Sequence, residues 1–181
     1  MKLRTFSSEG IILARKNYSE ADRILVIFSK NYGKLSLLAK GIRKLKSKKR
    51  GHLEIFSHIK FSASKTNSID IVTEVETINT FSKIRASLNK ISLAYYFCEI
   101  IAKITREDEI KNEVFNILII FLKRLEKETK LKILRQEFLH ELLEELGYWP
   151  GDKKLIDADS VLEEVTERQI NSFRVGKRVL L

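Results

Sequence analysis

Residues 23–40, RILVIFSKNYGKLSLLAK, decide the fold of the first half of the chain. The apolar run at 24–28 is typical of a buried β-strand, and the Asn-Tyr-Gly sequence at 31–33 signals a tight turn after it. Beyond the turn the residues alternate as along a strand, with one face formed by Leu35, Leu37 and Ala39. This stretch therefore predicts a β-hairpin.

Three further strands are predicted around this hairpin. One lies at 10–15 and is joined to the hairpin by a polar turn at 17–22. A fourth follows Gly51, with core-facing residues Leu53, Ile55, Ile59, Phe61 and Ala63 and with an opposite face of Glu54, Phe56, His58, Lys60 and Ser62. The fifth, at 69–78, presents one face of Ile69, Ile71, Thr73 and Val75.

Five short antiparallel strands leave edges that must be protected from other chains. Closure into a barrel is the usual solution at this size, and the nucleic-acid-binding example is the five-stranded Greek-key barrel, or OB fold. An SH3-like barrel is the alternative. We therefore predict an OB-fold domain at residues 1–79.

The period of the apolar residues becomes helical beyond Phe81. The predicted stripes are Ile84, Leu88, Ile91, Tyr95, Cys98 and Ile101, widened by Leu93, Phe97, Ile100 and Ile104; then Ile110, Val114, Ile117, Leu118, Phe121 and Leu125; then Leu131, Leu134, Phe138, Leu142 and Leu146. Gly147 is placed to end the third helix, and a further helix is expected near 166–173. An antiparallel bundle at residues 80–181 completes an α+β chain.

The charge of the chain is concentrated in its first half. Of 34 Lys and Arg residues, 16 lie in residues 1–80 with 7 acids, whereas residues 81–181 hold 18 cations and 17 acids. A genome rich in lysine would spread the excess over the whole chain, so this asymmetry indicates a surface for a polyanion. Seven cations, with no acid, fall within KGIRKLKSKKR at 40–50.

The sequence gives no sign of catalytic chemistry. His52, His58 and His140 have no metal-ligand spacing, and neither a phosphate-binding glycine motif nor a G-x-S-x-G motif occurs. The single cysteine, Cys98, lies in an apolar stretch and is expected in the core. Acidic pairs such as Asp108 with Glu109 or Glu144 with Glu145 leave open a magnesium-dependent nuclease, but we predict a protein that is not an enzyme and has no cofactor.

No targeting or membrane segment is evident. The start MKLRTFSSEG lacks the apolar run of a signal peptide, and the longest apolar run, 117–122, is far shorter than the roughly 20 residues that cross a bilayer. We expect a cytoplasmic protein.

Cations and nearby aromatic residues form the predicted nucleic-acid surface, because cations bind phosphates and exposed rings stack on bases. Tyr18 and Tyr32 lie in turns among cations and are candidates for stacking. Phe56, on the outward face of the fourth strand, is another, although core packing is its alternative role. The full set of candidates is Arg15, Lys16, Arg23, Lys34, Lys40, Arg43, Lys44, Lys46, Lys48, Lys49, Arg50 and Phe56.

Residues 9–57 resemble the N-terminal domain of the bacterial recombination mediator family RecO. The similar motifs are EGIIL at 9–13, YSEADR at 18–23, GKLS at 33–36 and AKGIR at 39–43, followed by LEIF, IVTEVETINTF and AYYFCEII, so that the resemblance covers residues 5 to 150. It implies an OB fold, a helical domain, and a nucleoid-associated protein that binds single- and double-stranded DNA, anneals complementary strands and helps to load recombinase. An RNA-binding or ribosome-associated OB module is the alternative.

The resemblance also implies protein partners. Members of this family bind the acidic, apolar C-terminal tail of single-stranded DNA-binding protein through their helical domain, and they associate with RecR. A basic rim for such a tail is expected at Lys123, Arg124, Lys130, Lys132 and Arg135, for which a solvated helix face is the alternative. Many members carry a four-cysteine zinc motif after L-G-Y-x-P, but LGYWP is followed here by GDKKLIDADS, so no metal is carried over.

Overall fold

The computed structural model describes residues 5–44, 51, 53–150 and 158–166. The chain forms two compact units. The first, the barrel unit, comprises Met1–Thr80 and Thr105–Lys111, and the second, the helical unit, comprises Phe81–Ile104 and Asn112–Leu181. The segment Thr105–Lys111, which we call the connector, thus joins two helices in sequence but belongs to the barrel unit.

The barrel unit is the predicted OB fold. Its strands are β1 (Thr5–Tyr18), β2 (Asp22–Ser29), β3 (Gly33–Ala39), β4 (His58–Ser64) and β5 (Ile71–Asn79). They close into a barrel in the order β1-β2-β3-β5-β4, with the long β1 pairing antiparallel to both β2 and β4. Closure between β3 and β5 is parallel, at Leu38 and Ile71.

The hairpin predicted within residues 23–40 is confirmed, because β2 and β3 pair antiparallel. Ser29 pairs with Gly33, and the N–H of Tyr32 donates to the Ser29 hydroxyl at 2.9 Å. Of the predicted inward face of β3, Leu37 and Ala39 are buried in one core with Leu25 and Ile27 of β2, and Leu35 packs against this core partly buried. That core also contains Ile12, Ile42, Leu53, Ile59, Phe61, Ala63 and Val72.

The predicted orientation of Phe56 is wrong. Residues 53–57 precede β4 and form a turn, in which the N–H of Ser57 donates to the Glu54 carbonyl at 3.1 Å. Phe56 has φ 56°, and its N–H donates to the Ile12 carbonyl at 2.7 Å. Because this turn breaks the alternation of a strand, the Phe56 ring points inward and is only 1% exposed. It is therefore not available to stack on a base.

The predicted face of β5 is also wrong in its first part. Ala63 pairs with Val72 and Ser62 pairs with Glu74, so Thr73 is an extra residue between them. This β-bulge shifts the alternation by one residue. Val72 is therefore buried and Thr73 is exposed, whereas Val75 packs against the core as predicted.

The connector covers the main-chain edge of β3 near its beginning. The N–H of Asp108 donates to the Lys34 carbonyl at 3.1 Å, and Lys34 and Glu107 form a parallel bridge. The Ser36 hydroxyl donates to the Glu107 carboxylate at 3.1 Å. β5 pairs with β3 only near the end of β3, at Leu38. At the beginning of β3 the main-chain hydrogen-bonding groups are satisfied instead by the connector, which lies much later in the sequence.

The helical unit contains α1 (Ser82–Arg85), α2 (Leu88–Ile104), α3 (Asn112–Lys127), α4 (Leu131–Glu145) and α5 (Ala158–Thr166). Three buried phenylalanines tie α2, α3 and α4 together. The ring centroid of Phe97 lies 4.0 Å from that of Phe138 and 6.2 Å from that of Phe121. Cys98 is buried, as expected. The second predicted helix of the bundle is confirmed in its buried positions from Val114 to Leu125.

Two features of this unit differ from the predicted stripes. The first predicted helix is broken at residues 86–87, so Leu88 begins a new helix and is 72% exposed. Tyr95 is also exposed, whereas the predicted Leu93, Phe97, Ile100 and Ile101 are buried in α2 together with Ala94. Ile110 is exposed because it lies in the connector and not in a helix. The expected helix near 166–173 falls largely on residues outside those that the structure describes.

None of the helices within the described ranges combines the length and the apolar character needed to cross a membrane.

Candidate nucleic-acid interface

The turn between β1 and β2 is held against the chain that leaves β3. The N–H of Arg43 donates to the Ala21 carbonyl at 2.9 Å, and the N–H of Gly41 donates to the Asp22 carboxylate at 2.7 Å. The Arg43 guanidinium also donates to the Ser19 carbonyl at 3.3 Å. These bonds fix the first part of the segment KGIRKLKSKKR beside the turn.

Ile42 anchors this segment to the barrel. Its side chain is fully buried in the barrel core, between Gly41 and Arg43. The signal in the sequence for this anchor was Ile42 itself, one of two apolar residues, with Leu45, in the cationic run, and the anchor was not predicted. The role of Asp22 as an acceptor for Gly41 was also missed, because an aspartate in a polar turn has no distinctive spacing.

Cations and an aromatic ring are exposed together at this place. Lys16, Lys40, Arg43 and Lys44 are exposed, and Tyr18 in the same turn is 48% exposed. Arg23 is partly buried, and its Nε donates to the Asn17 side chain at 3.1 Å. We call Lys16, Tyr18, Arg23, Lys40, Arg43 and Lys44 the turn surface. It presents the combination of positive charge and ring that single-stranded nucleic acid requires.

The loop between β4 and β5 lies next to the end of β3. The N–H of Leu38 donates to the Asp70 carbonyl at 2.8 Å. The Asp70 carboxylate accepts the N–H of Thr66 at 2.9 Å, which shapes the loop. In OB folds, oligonucleotides bind on the β2–β3 face between the β1–β2 and β4–β5 loops. The turn surface therefore lies at the position that this fold uses for binding.

Two predicted binding residues have partners within the barrel unit instead. Arg15 is partly buried and forms an ion pair with Glu54. Lys34 donates from Nζ to the carbonyl of Thr105 in the connector. Burial lowers the pKa of Lys34 below its ordinary value, and the Glu107 carboxylate partly opposes this shift. The structure thus places Lys34 away from the turn surface.

The remaining members of the predicted set cannot be located. Lys46, Lys48, Lys49 and Arg50 lie outside the described residues. They stay predicted phosphate contacts on the evidence of sequence alone.

The predicted rim on the helical unit is partly occupied by contacts within that unit. Arg124 pairs with the Glu137 carboxylate and lies 4.8 Å from the Phe121 ring centroid. Arg135 donates to the Tyr96 hydroxyl at 3.2 Å and lies 4.9 Å from that ring centroid. Lys123, Lys130 and Lys132 are exposed.

A cavity of about 350 Å³ between α3 and α4 does not include these cations. It is lined by Ile117 and Ile120 together with polar and acidic residues, namely Glu113, Asn116, Glu141, Glu144 and Glu145. An acidic peptide would be repelled there, so the rim and the cavity are not parts of one site. Within the described residues, no group of three or more His, Cys, Asp or Glu side chains could hold a metal ion.

Comparisons with known proteins agree with this architecture. The chain matches the family described as "Recombination protein O N terminal" over residues 1–81 and the one described as "Recombination protein O C terminal" over residues 85–151. The two matches divide the chain at the end of the five strands.

Curated relatives that match this chain are described as DNA repair proteins. A "DNA repair protein RecO" of Dehalococcoides mccartyi is 35% identical over 149 residues, which are 82% of this chain and 59% of the relative. One of Roseiflexus is 30% identical over 168 residues, covering 93% of this chain and 59% of the relative. One of Alkaliphilus metalliredigens is 33% identical over 144 residues, covering 79% and 58%. The chain thus spans less than two thirds of the length of these relatives.

Proposed function

Because this chain belongs to the RecO family of DNA repair proteins, we propose that it binds DNA through the turn surface and anneals complementary strands during recombinational repair. The observation that carries this proposal is the exposure of Lys16, Lys40, Arg43, Lys44 and Tyr18 at the binding position of an OB fold.

The mechanism that these residues support is electrostatic. Lysine and arginine neutralise phosphates and release counterions, which gives affinity without sequence preference. Two strands that are both screened by the barrel repel each other less, and base pairing then supplies the free energy of annealing. No covalent bond changes in this scheme, so no residue is assigned a catalytic role.

The proposal extends to the loading of recombinase on single-stranded DNA that is coated by its binding protein. Lys123, Lys130 and Lys132 are the exposed cations that an acidic C-terminal tail of that protein would contact, whereas Arg124 and Arg135 already have partners. RecR is proposed as a second protein partner on the basis of the family. DNA as the ligand implies association with the nucleoid.

A salt series tests the turn surface. We expect Lys40→Ala combined with Lys44→Ala to weaken binding to single-stranded DNA and to make the log-log salt dependence of the binding constant shallower by about 1.4, at ~0.7 for each lost phosphate contact. Fluorescence anisotropy of a labelled oligonucleotide, from low to physiological salt, measures both quantities.

The matched control is Lys83→Ala combined with Lys127→Ala, which removes the same charge from exposed positions of the helical unit. This control should leave the slope unchanged. Equal slopes for all three proteins would contradict the assigned surface, and a clear preference for an RNA competitor of the same length would favour the RNA-binding alternative.

A further inference from the structure

A second group of aromatic and cationic residues, in which Phe6 is partly buried and the others are exposed, lies at the other end of β1. Tyr18 of the turn surface is the last residue of β1, whereas Phe6 is its second residue. Phe6 lies beside the turn between β2 and β3, because the Phe6 and Tyr32 rings meet edge to face with centroids 4.8 Å apart. We call Phe6, Lys30, Asn31, Tyr32 and Lys65 the second surface.

This surface has a rigid base. The Phe6 ring meets Phe61 of the barrel core edge to face, with centroids 6.4 Å apart. Two N–H groups of the turn form hydrogen bonds with β1. That of Lys30 donates to the Glu9 carbonyl at 3.0 Å, and that of Asn31 donates to the Ser8 side-chain hydroxyl at 3.3 Å. The Tyr32 ring is consequently held in one place while 38% of the residue stays exposed.

Two cations belong to the same group as the Phe6–Tyr32 pair. Lys30 is exposed two residues before Tyr32, and the Nζ of Lys65 lies 5.9 Å from the centroid of Phe6. The main chain of Glu109 lies beside Gly33 of this turn, and the Glu109 carboxylate is paired with Lys111 at 3.0 Å. An exposed ring grouped with cations fits a nucleobase with its neighbouring phosphates. A DNA duplex fits less well, because its bases are already stacked on each other and cannot reach a ring.

We propose that the second surface binds a second strand of single-stranded DNA, with a base on Tyr32 and phosphates near Lys30 and Lys65. This inference rests on the proposed function, to which it adds a place for the other strand. The turn that carries Tyr18 and the turn that carries Tyr32 lie at opposite ends of β2, a strand of eight residues that is about 25 Å long. One barrel thereby holds two strands at separate places.

The number of short oligonucleotides bound per chain tests this inference. Oligonucleotides of about four residues lie at the lower end of the site size of a single OB fold and are too short to span both surfaces. We expect the full chain to bind two, and Tyr32→Ala combined with Lys65→Ala to bind one, with the second binding constant weakened about tenfold or more. Titration calorimetry gives the stoichiometry.

Two controls separate a local effect from a general one. Tyr148→Ala combined with Lys127→Ala removes an exposed tyrosine and an exposed lysine from the helical unit and should leave two oligonucleotides bound. Tyr32→Phe with Lys65 intact keeps the stacking ring and should also bind two. Circular dichroism and retention of the first binding constant show that each variant is folded.

The rate of annealing between complementary oligonucleotides supplies the functional readout. We expect it to fall in the Tyr32→Ala, Lys65→Ala protein while the first binding constant stays unchanged. One oligonucleotide bound by the unaltered chain, two bound by the variant, or an acidic peptide that occupies Tyr32 in place of DNA would overturn the inference. Loss of all DNA binding in the unaltered chain would instead overturn the proposed function.

Discussion

At the scale of single residues, Gly33 and Gly41 show how the same backbone angle serves two purposes. Both have a positive φ, of 68° and 65°. A Cβ on Gly33 would lie 2.2 Å from the carbonyl oxygen of Glu109 in the connector, whereas a Cβ on Gly41 would meet only the Lys44 side chain at 3.7 Å. Glycine is therefore required at position 33 for two reasons, namely the positive φ and the close approach of the Glu109 main chain.

We predict that Gly41→Ala lowers the free energy of unfolding by about 1–2 kcal/mol, the cost of the left-handed conformation alone. Gly33→Ala should lower it by clearly more, because the connector must also move. Urea denaturation of the two variants measures the difference. Equal losses of unfolding free energy in the two variants would mean that the connector does not pack closely against Gly33.

Phe56 and Tyr18 are predicted to behave in opposite ways. Phe56→Ala removes a buried ring and should cost about 3–5 kcal/mol of stability, with DNA affinity unchanged where the variant is folded. Tyr18→Ala removes an exposed ring and should leave stability nearly unchanged, while single-stranded DNA binds about 5- to 100-fold more weakly, as expected for one lost stack. Denaturation measures the stability of both variants, and fluorescence anisotropy measures their affinity for single-stranded DNA. A Phe56→Ala protein that lost affinity but kept its stability would contradict the buried position of Phe56.

At the scale of elements, the sequence predicts a strand or helix well where one face alone is apolar. In β3 the alternation of Leu35, Leu37 and Ala39 defines both the strand and its buried face. In α2 nearly every side is apolar, so the predicted stripe wrongly placed Leu88 and Tyr95 inside.

The bulge at Thr73 and the turn at Phe56 were missed for a different reason. A positive φ at phenylalanine and an extra residue opposite Ser62 depend on pairing with distant strands and leave no local signal.

The start of α4 depends on a carboxylate outside the helix. The Glu128 side chain accepts the N–H groups of Thr129 and Lys130 at 2.8 and 2.9 Å. These two hydrogen bonds, that from Lys130 first, lower the pKa of Glu128 below its ordinary value of 4.5. Glu128 thus takes the place of a side-chain cap at Lys130, which makes no such bond.

We predict that Glu128→Gln lowers the melting temperature at pH 7 and that the difference from the unaltered chain shrinks as the pH falls. A lowered pKa in the folded state stabilises the fold above pH 4.5, and this contribution is lost as the pH passes down through the folded pKa. Thermal denaturation from pH 7 to pH 3 checks the trend. The control Glu141→Gln removes one negative charge within α4. If its melting temperature depended on pH in the same way, the effect would come from net charge and not from the hydrogen bonds of Glu128.

At the scale of the whole molecule, the change from strand period to helix period near Phe81 correctly predicted a barrel followed by helices. The concentration of charge in the first half predicted a binding surface on the barrel unit, which stays a prediction, and the predicted set included Lys34, which donates to the connector. The connector itself could not be predicted. Its contacts with β3 join residues more than seventy positions apart, and nothing local to 105–111 distinguishes it from an ordinary loop between helices.

Hydrogen exchange tests whether the connector is part of the barrel unit. We predict that the Asp108 amide, which donates to Lys34, exchanges with the barrel amides such as that of Leu38 and not with the amides of α3. Exchange measured residue by residue across low denaturant concentrations distinguishes the two groups. In Gly33→Ala, exchange of Asp108 should be faster, and protection that follows α3 in the unaltered chain would contradict the assignment.

The place of the connector in the sequence also governs the order in which the protein matures on the ribosome. All five strands leave the exit tunnel before it, and α1 and α2 are made in between. Until then the beginning of β3 presents bare main-chain groups, which is the feature that invites pairing with another nascent chain. The barrel therefore cannot close at this edge until α1, α2 and the connector have been translated, whereas α3, α4 and α5 are made later, so the barrel can be completed before the helical unit.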